Sequence, residues 1–183
     1  MLRTVVPLLV AAVAVLAVVI ATRPDSFRIA RSATINAPAS VVFALLNDFH
    51  QWVRWSPWEG RDPNLQRTYA GAASGEGAVY SWVGNSKVGE GRMTITESQP
   101  ATHLGLTLEF FKPWQATNQT DFTLDAAGGE TTVNWAMSGK SNFMHKAFSL
   151  LMNMDKMVGN DFEQGLANMK RIAEEEAGKA ARP

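Results

Sequence analysis

Apolar and polar side chains alternate along the stretch from Leu65 to Ser138, and this pattern constrains the fold more than any other feature of the sequence. Such alternation predicts half-buried β-strands, because successive side chains of a strand point to opposite faces of a sheet. Glycine, asparagine and proline residues interrupt the pattern at short intervals, as tight turns require. Six strands are predicted: Leu65–Ala70, Ala78–Val83, Val88–Glu97, His103–Phe111, Gln115–Asp125 and Thr131–Ser138. Short strands joined by tight turns are typical of an antiparallel meander.

A further strand and two short helices are predicted before this stretch. Ser26–Asn36 alternates less regularly than the later segments but still predicts a strand, which Pro38 ends. Apolar side chains then recur at helical spacing from Val41 to Phe49, and a second helical piece is predicted over His50–Trp55.

The C-terminal part of the sequence predicts a long amphipathic helix. Apolar side chains recur every three or four residues from Leu151 to Ile172, and a shorter helix over about Asn142–Leu150 precedes them. A seven-stranded antiparallel sheet with one apolar face needs a cover, which this helix can supply. The predicted fold class is therefore α+β, with a curved sheet wrapped on a long C-terminal helix. Because sheets twist, a curled sheet and a straight helix leave space between them, and this space points to a ligand cavity.

The N-terminal segment is uniformly apolar. Val5–Ala21 contains no polar side chain, and Arg3 and Arg23 flank it. With Thr4 and Thr22, the helix would span about 28 Å, close to the thickness of the bilayer core. We expect a single transmembrane helix that anchors the protein in a membrane, with a cleaved signal peptide as the alternative. Basic groups are nearly equal in number on the two sides of this segment, so the positive-inside rule does not predict which side of the membrane the domain faces. The predicted organisation is an anchor over 1–24, one domain over 25–178 and a frayed tail over 179–183.

Composition excludes several classes of function. The chain has no cysteine, which excludes disulfides, thiolate metal sites and cysteine nucleophiles. His50, His103 and His145 are too far apart to form a local metal-binding motif, so neither a metal nor a cofactor is expected. Arg3 and Arg23 precede residue 25 and the sequence holds 17 basic and 17 acidic residues, so the remaining chain is weakly acidic. That balance argues against a nucleic-acid partner.

A set of short segments, in order along the chain, carries a resemblance to a known family. They are Ile35–Pro38, Val42–Asp48, Trp52–Trp58, Tyr80–Trp82, Gly84–Asn85, Gly89–Gly91, Met93–Ile95, Thr131–Trp135 and Gly159–Lys170. Together they resemble the START-like helix-grip superfamily (SRPBCC), and in particular its polyketide cyclase/dehydrase-like branch, over about residues 27–176. The resemblance implies the helix-grip fold and a cavity that holds a lipid, sterol, polyketide or hormone. Some relatives are enzymes or chaperone cofactors, and several carry one N-terminal membrane segment.

The apolar faces of the predicted strands and of the long helix supply the candidate ligand contacts, since residues two apart in a strand share a face. The alternative is a solid core. Trp52, Trp55 and Trp58 form either an aromatic gate or a hydrophobic plug, and Trp58 is the one expected to touch the ligand. The predicted ligand-binding residues are Trp58, Tyr80, Trp82, Met93, Leu106, Leu108, Phe110, Phe122, Trp135, Met137, Met154 and Val158.

Three functions remain open at this stage. The first is non-catalytic binding of a small hydrophobic ligand, lipid or polyketide-like, by a membrane-anchored domain. The second is a polyketide cyclase or dehydratase, for which Tyr80, Asn118 and His103 are the residues to examine. The third is an envelope module that binds another protein. No catalytic residue is assigned, and the sequence does not predict an oligomeric state.

Overall fold

The computed structural model describes residues 2–141 and 143–180 of the 183-residue chain. The predicted α+β class is confirmed: the structure has a seven-stranded antiparallel sheet and a long C-terminal helix. The elements are α1 (Leu2–Ala21), β1 (Ser26–Ile35), α2 (Ala39–Asn47), α3 (Phe49–Trp52), β2 (Gln66–Gly71), β3 (Ala78–Val83), β4 (Glu90–Gln99), β5 (His103–Lys112), β6 (Ala116–Ala127), β7 (Glu130–Lys140), α4 (Phe143–Leu151) and α5 (Met154–Ala180).

The strand order is β1-β7-β6-β5-β4-β3-β2, and every pair is antiparallel. The six strands after α3 therefore form the predicted meander, and β1 adds to its far edge beside β7. The register of β6 and β7 places Phe122 opposite Trp135 and Thr120 opposite Met137. These four side chains lie on the face that α5 covers, because the ring of Trp135 stacks on Phe162 of α5.

The core fills the space between the sheet and the helices. α5 packs along β1, and its apolar stripe of Phe162, Leu166 and Met169 is buried. Two tryptophans fasten the segment after α2 to that helix: the indole Nε1–H of Trp52 donates to the backbone oxygen of Leu46, and that of Trp55 donates to Leu45, each at 2.9 Å. Both rings therefore belong to the core, as the plug interpretation predicts.

The apolar N-terminal segment forms a helix, α1, but the membrane anchor predicted for it is not supported. Among residues 2–141 and 143–180, no helix is both long enough and apolar enough to cross a bilayer. The C-terminal end of α1 packs against α4, and Ile20 is buried.

Several element boundaries differ from those predicted. The long helix begins at Met154, not at Leu151, because Asn153 Oδ1 accepts a hydrogen bond from the backbone N–H of Lys156 at 2.9 Å and caps it. α3 ends at Trp52, so the predicted piece over His50–Trp55 is shorter than expected. α5 extends to Ala180, two residues into the predicted tail, and residues 181–183 lie outside the described chain.

Candidate ligand-binding cavity

A cavity of about 370 Å³ lies between the inner face of the sheet and α5. This volume falls within the range of small-molecule sites in proteins. Its wall is mainly apolar and aromatic, and its polar side chains come from the loop after α3, from β3, from the turn between β3 and β4, from β6 and from α5. The space that the curled sheet and the straight helix were expected to leave is therefore present.

Ten of the twelve residues predicted to bind ligand line this cavity. The strands contribute through their inner faces, where residues two apart in sequence point the same way. Val158 lies on the facing side of α5, and Trp58 lies in the loop between α3 and β2. The ten are Trp58, Tyr80, Trp82, Met93, Leu106, Leu108, Phe110, Trp135, Met137 and Val158.

Two predicted residues do not line the cavity. Phe122 points to the correct face of β6, but Trp52, Trp55 and Trp135 cover its ring, with centroids 4.9–6.2 Å away, and leave it fully buried. Met154 is the first residue of α5 and borders a different cavity, described below. The periodicity of a strand predicts which side chains point to the inner face of the sheet. It does not predict which of them are covered by neighbouring aromatic rings and therefore cannot reach the cavity.

Aromatic stacking shapes the wall next to α5. The rings of Trp135 and Phe162 are parallel within 8° and 4.1 Å apart. Trp58 meets both edge-on, with centroid distances of 5.8 and 6.3 Å. The guanidinium of Arg61 lies 5.8 Å from the centre of the Trp58 ring. Of the three clustered tryptophans, the half-buried Trp58 and the buried Trp52 line the cavity, and Trp55 does not.

A chain of three polar side chains crosses the wall beside β3. The Tyr80 hydroxyl donates a 2.6 Å hydrogen bond to Glu59 Oε1, and Arg67 Nε donates a 2.6 Å hydrogen bond to Glu59 Oε2. Burial, and next the hydrogen bond to Glu59, raise the pKa of Tyr80 well above its ordinary value. The same carboxylate raises the pKa of Arg67. Tyr80 is therefore a neutral hydroxyl at physiological pH, with a lone pair left to accept a hydrogen bond.

The charged groups at the mouth are mostly paired. Arg61 forms an ion pair with Asp161 of α5, and this bond joins the loop after α3 to the covering helix. Lys87, in the turn between β3 and β4, also lines the cavity and is exposed. Within the described part of the chain, no carboxylate pairs with its ammonium group.

Within the described residues, two buried polar atoms of the cavity lining have no hydrogen-bond partner: the hydroxyl oxygen Oγ1 of Thr120 and the indole Nε1 of Trp135. They lie on adjacent strands and are diagonal neighbours, because Thr120 pairs with Met137 and Trp135 pairs with Phe122, two residues further along β6. Unpaired polar atoms are rare in protein interiors because burying them without a partner costs free energy. Both atoms are covered by neighbouring side chains, so a partner can reach them only when that wall shifts.

The comparisons with known proteins agree with this geometry. Residues 26–174 match the family model described as polyketide cyclase / dehydrase and lipid transport. The chain belongs to this family. The resemblance to the SRPBCC superfamily is thereby confirmed, and this fold family binds small hydrophobic ligands. None of the curated proteins matches the sequence.

Solved structures share the polyketide cyclase/dehydrase fold at low sequence identity. The solution structure of KanY protein has a TM-score of 0.61 at 18% identity, covering 81% of this chain and 98% of that one. CV1439 from Chromobacterium violaceum has a TM-score of 0.58 at 14% identity, covering 83% and 99%. The di-domain ARO/CYC StfQ from the steffimycin biosynthetic pathway has a TM-score of 0.60 at 9% identity, covering 84% of this chain and 52% of that one. At these identities the likeness shows the fold alone.

Of the three residues considered for a cyclase of this family, only Tyr80 lines the cavity. Asn118 is buried next to Met137, with its Nδ2 3.9 Å from the sulfur, but outside the lining. His103 bridges two carboxylates elsewhere on the sheet, with Nε2 3.2 Å from Asp121 and Nδ1 3.6 Å from Glu97. The structure therefore does not bring these three together. In the described part of the chain, no group of three or more acidic or histidine side chains could hold a metal ion.

Sequence reasoning missed the charged members of the cavity. Glu59 and Arg61 lie in a loop between α3 and β2, where no sequence periodicity predicts whether a side chain points toward the cavity. Asp161 was detectable in principle, because it lies three residues after Val158 and next to Phe162, inside the apolar stripe of the helix. A carboxylate within the buried stripe of a helix indicates a basic partner on the element packed against that helix, and here the partner is Arg61.

Proposed function

We propose that this protein binds a small, largely apolar molecule of the lipid or polyketide-like class in the cavity between the sheet and α5, without transforming it. The observation that carries the proposal is the cavity of about 370 Å³ with its wall of aromatic and aliphatic side chains. We infer that residues 25–178 constitute the binding domain, which agrees with the family match over residues 26–174.

Burial of the ligand supplies the driving force. Removing about 300 Å² of apolar ligand surface from water contributes about 7 kcal/mol before the costs of ordering are subtracted. No fixed charge is needed for affinity of this size. The aromatic wall formed by Trp58, Trp135 and Phe162 suits a flat, unsaturated molecule, since rings gain further attraction in edge-on and offset contacts.

The polar atoms of the wall favour a ligand that carries oxygen. Tyr80 can accept one hydrogen bond, while the hydroxyl of Thr120 and the indole nitrogen of Trp135 lack partners. A ketone or hydroxyl group of the ligand would pair with Tyr80 directly, and with Thr120 or Trp135 once the wall that covers them shifts, whereas a hydrocarbon would leave these atoms unpaired. We therefore expect an oxygenated, ring-bearing ligand to bind more tightly than a plain hydrocarbon of the same shape.

A cyclase or dehydratase activity is the second candidate, and the Tyr80–Glu59–Arg67 chain favours it. Glu59 lines the cavity beside Tyr80, and Arg67 holds its carboxylate in place. In an aldol cyclisation the Glu59 carboxylate would take a proton from a carbon beside a ketone, and the resulting carbanion would add to a second ketone carbon to form the ring C–C bond. The new alkoxide would take the proton back from Glu59, and loss of this hydroxyl with a proton from the neighbouring carbon would then release water. Mass spectrometry of a poly-β-ketone thioester incubated with the protein tests this activity. Loss of water that depends on Glu59 supports it, and an unchanged substrate contradicts it.

Ligand binding is tested by native mass spectrometry of the purified full-length chain, combined with organic extraction and with titration of 2-naphthol. Leu108→Trp and Val158→Phe each fill the cavity from a different wall and should lower bound ligand at least tenfold. Val83→Trp is the matched control, because Val83 is exposed at the end of β3 and does not line the cavity. If Val83→Trp lowers binding equally, or if neither a co-purified molecule nor 2-naphthol binds the unaltered chain, the proposal is wrong.

A further inference from the structure

A second cavity, of about 430 Å³, lies beside the first turn of α5. It is lined by the segment after α1, the beginning of β1, the residue after β7 and the connection between α4 and α5. Among the residues that the structure describes, none lines both cavities. Neither the family match nor the fold comparisons assign it a role.

Basic side chains dominate the charge of this second cavity. Arg23, Arg28 and Lys146 line it, and Asp155 is the one carboxylate among its described lining residues. That carboxylate is already engaged: Arg31 donates to Asp155 Oδ1 at 3.2 Å and to Oδ2 at 3.1 Å. Because Arg31, which does not line the cavity, pairs with the Asp155 carboxylate, the positive charge of the three lining cations is not balanced by that carboxylate.

These cations have unused hydrogen-bonding capacity. The side chain of Lys146 is only 10% exposed, and within residues 2–141 and 143–180 its ammonium group makes one hydrogen bond, 2.5 Å long, to Asp25 Oδ1. Asp25 is itself 94% exposed, so water weakens this pairing. An ammonium group has three donors, so two remain. Among residues 2–141 and 143–180, Arg23 and Arg28 make no ion pair or side-chain hydrogen bond.

The first turn of α5 faces the same space. Met154 and Asp155 line the cavity, and Asn153 caps the helix. The N-terminus of a helix carries partial positive charge from its unpaired backbone N–H groups, which adds to the field of the three cations. Ser26 and Ser149 contribute hydroxyl groups to the lining.

The remaining wall is apolar. Phe27, Ile29, Leu150 and Met152 line the cavity beside the cations. The exposed apolar helix α1 ends at Ala21, two residues before Arg23. A site of this composition suits a molecule with an anionic group at one end and an apolar group at the other.

We propose that the second cavity binds a phosphate group that carries an apolar substituent. In proteins, phosphate oxygens accept hydrogen bonds from arginine and lysine side chains, from hydroxyl groups and from the backbone N–H groups at a helix N-terminus. Here they come from four separate parts of the chain, and the several oxygens of a phosphate can engage them together. The headgroup of an anionic phospholipid and a soluble phosphate ester share this chemistry. This proposal does not rest on the function proposed for the first cavity.

The experiment uses the full-length chain in a neutral detergent, with backbone amide shifts followed by NMR during titration with inorganic phosphate and then phenyl phosphate. A second arm measures flotation with phosphatidylcholine vesicles that contain or lack phosphatidic acid.

Arg28→Gln and Lys146→Gln remove lining cations. Arg28 is exposed, so its replacement leaves the core intact even if Lys146→Gln impairs folding. Lys156→Gln is the matched control, because Lys156 is exposed on α5 near the cavity but does not line it.

We expect shifts at the residues around the cavity and an affinity that falls about tenfold in Arg28→Gln, with Lys156→Gln unchanged. Binding of phenyl phosphate without any preference for phosphatidic acid identifies a soluble ligand. A phosphatidic acid preference that Arg28→Gln abolishes identifies a lipid headgroup. If neither phosphate compound shifts these residues and the vesicles bind equally, or if Lys156→Gln weakens binding as much as Arg28→Gln, the proposal is overturned.

Discussion

Gly159 of α5 lies directly against the guanidinium group of Arg31, so that a Cβ atom on Gly159 would overlap Arg31 Nη2, Cζ and Nε. Arg31 extends from β1 and is held there by Asp155 and Glu163, on either side of the glycine. The missing side chain is what allows the arginine to cross the helix and tie its first turns to the edge strand.

Gly159→Ala should therefore lower the free energy of unfolding, by about 1 to 3 kcal/mol, because the overlap must displace the guanidinium from both carboxylates. Helix propensity alone predicts the opposite sign, a gain of about 1 kcal/mol. Chemical denaturation measures the difference. Gly178→Ala, in the same helix with no atom near its added Cβ, is the control and should leave stability unchanged or slightly higher. A stabilised Gly159→Ala variant would show that Arg31 moves aside without cost.

The pH dependence of stability should report on Tyr80. Its pKa is raised above the ordinary value of 10.0 by burial and by Glu59, so the folded state holds the proton more tightly than the unfolded state. This contribution to stability is complete below about pH 10 and is lost as the pH rises beyond it. Unfolding by urea across alkaline pH should show a steeper loss for the unaltered chain than for Tyr80→Phe. Parallel curves would mean that the hydroxyl titrates alike in both states.

Much of this fold is predictable from the sequence, because the period of two between Leu65 and Ser138 matches the pleat of a strand, and side-chain direction follows from it. The strands β2 to β7 appear in the predicted order, and their boundaries move by only a few residues. The long helix is predictable for the same reason. Its beginning is not, because the break at Asn153 depends on one side-chain hydrogen bond that apolar periodicity does not register.

The cavity is predictable in part, and the limit has a physical origin. Periodicity places Leu106 and Leu108 on the inner face, and both line the cavity. It places Phe122 on the same face, but three tryptophans bury that ring, and their positions depend on contacts distant in sequence. The second cavity lies where parts of the chain that are distant in sequence meet, so no local sequence pattern predicts it.

Gly91 controls the position of Trp82 in the cavity wall. A Cβ atom at Gly91 would lie 2.5 Å from two carbon atoms of the Trp82 ring and would also overlap the backbone oxygen of Glu109. Gly91→Ala should push the indole toward the cavity, lower the free energy of unfolding by about 1 to 3 kcal/mol and weaken ligand binding. Denaturation and 2-naphthol titration measure the two effects. Gly60→Ala, with open space around the added atom, should change neither. Unaltered binding in a folded Gly91→Ala protein would contradict a role for Trp82 in the wall.

Thr120 and Thr131 allow the unpaired hydroxyl to be tested against a paired one, since both side chains are buried. The hydroxyl of Thr131 donates a 2.7 Å hydrogen bond to the backbone oxygen of Ala37, whereas that of Thr120 has no partner. Valine has nearly the shape of threonine. Thr131→Val should therefore lower the free energy of unfolding by about 1 to 3 kcal/mol because it leaves the Ala37 oxygen unpaired, while Thr120→Val should raise it.

The same pair of variants separates stability from binding. If Thr120 is kept polar for a ligand, Thr120→Val should lose the preference for 2-naphthol over naphthalene while gaining stability, and Thr131→Val should keep the preference while losing stability. Loss of stability in both variants would mean that a trapped water already satisfies the Thr120 hydroxyl. A retained preference in Thr120→Val would assign oxygen recognition to Tyr80 or Trp135 instead. An interior polar atom that lowers the stability of the empty protein persists most readily where a bound molecule supplies its partner.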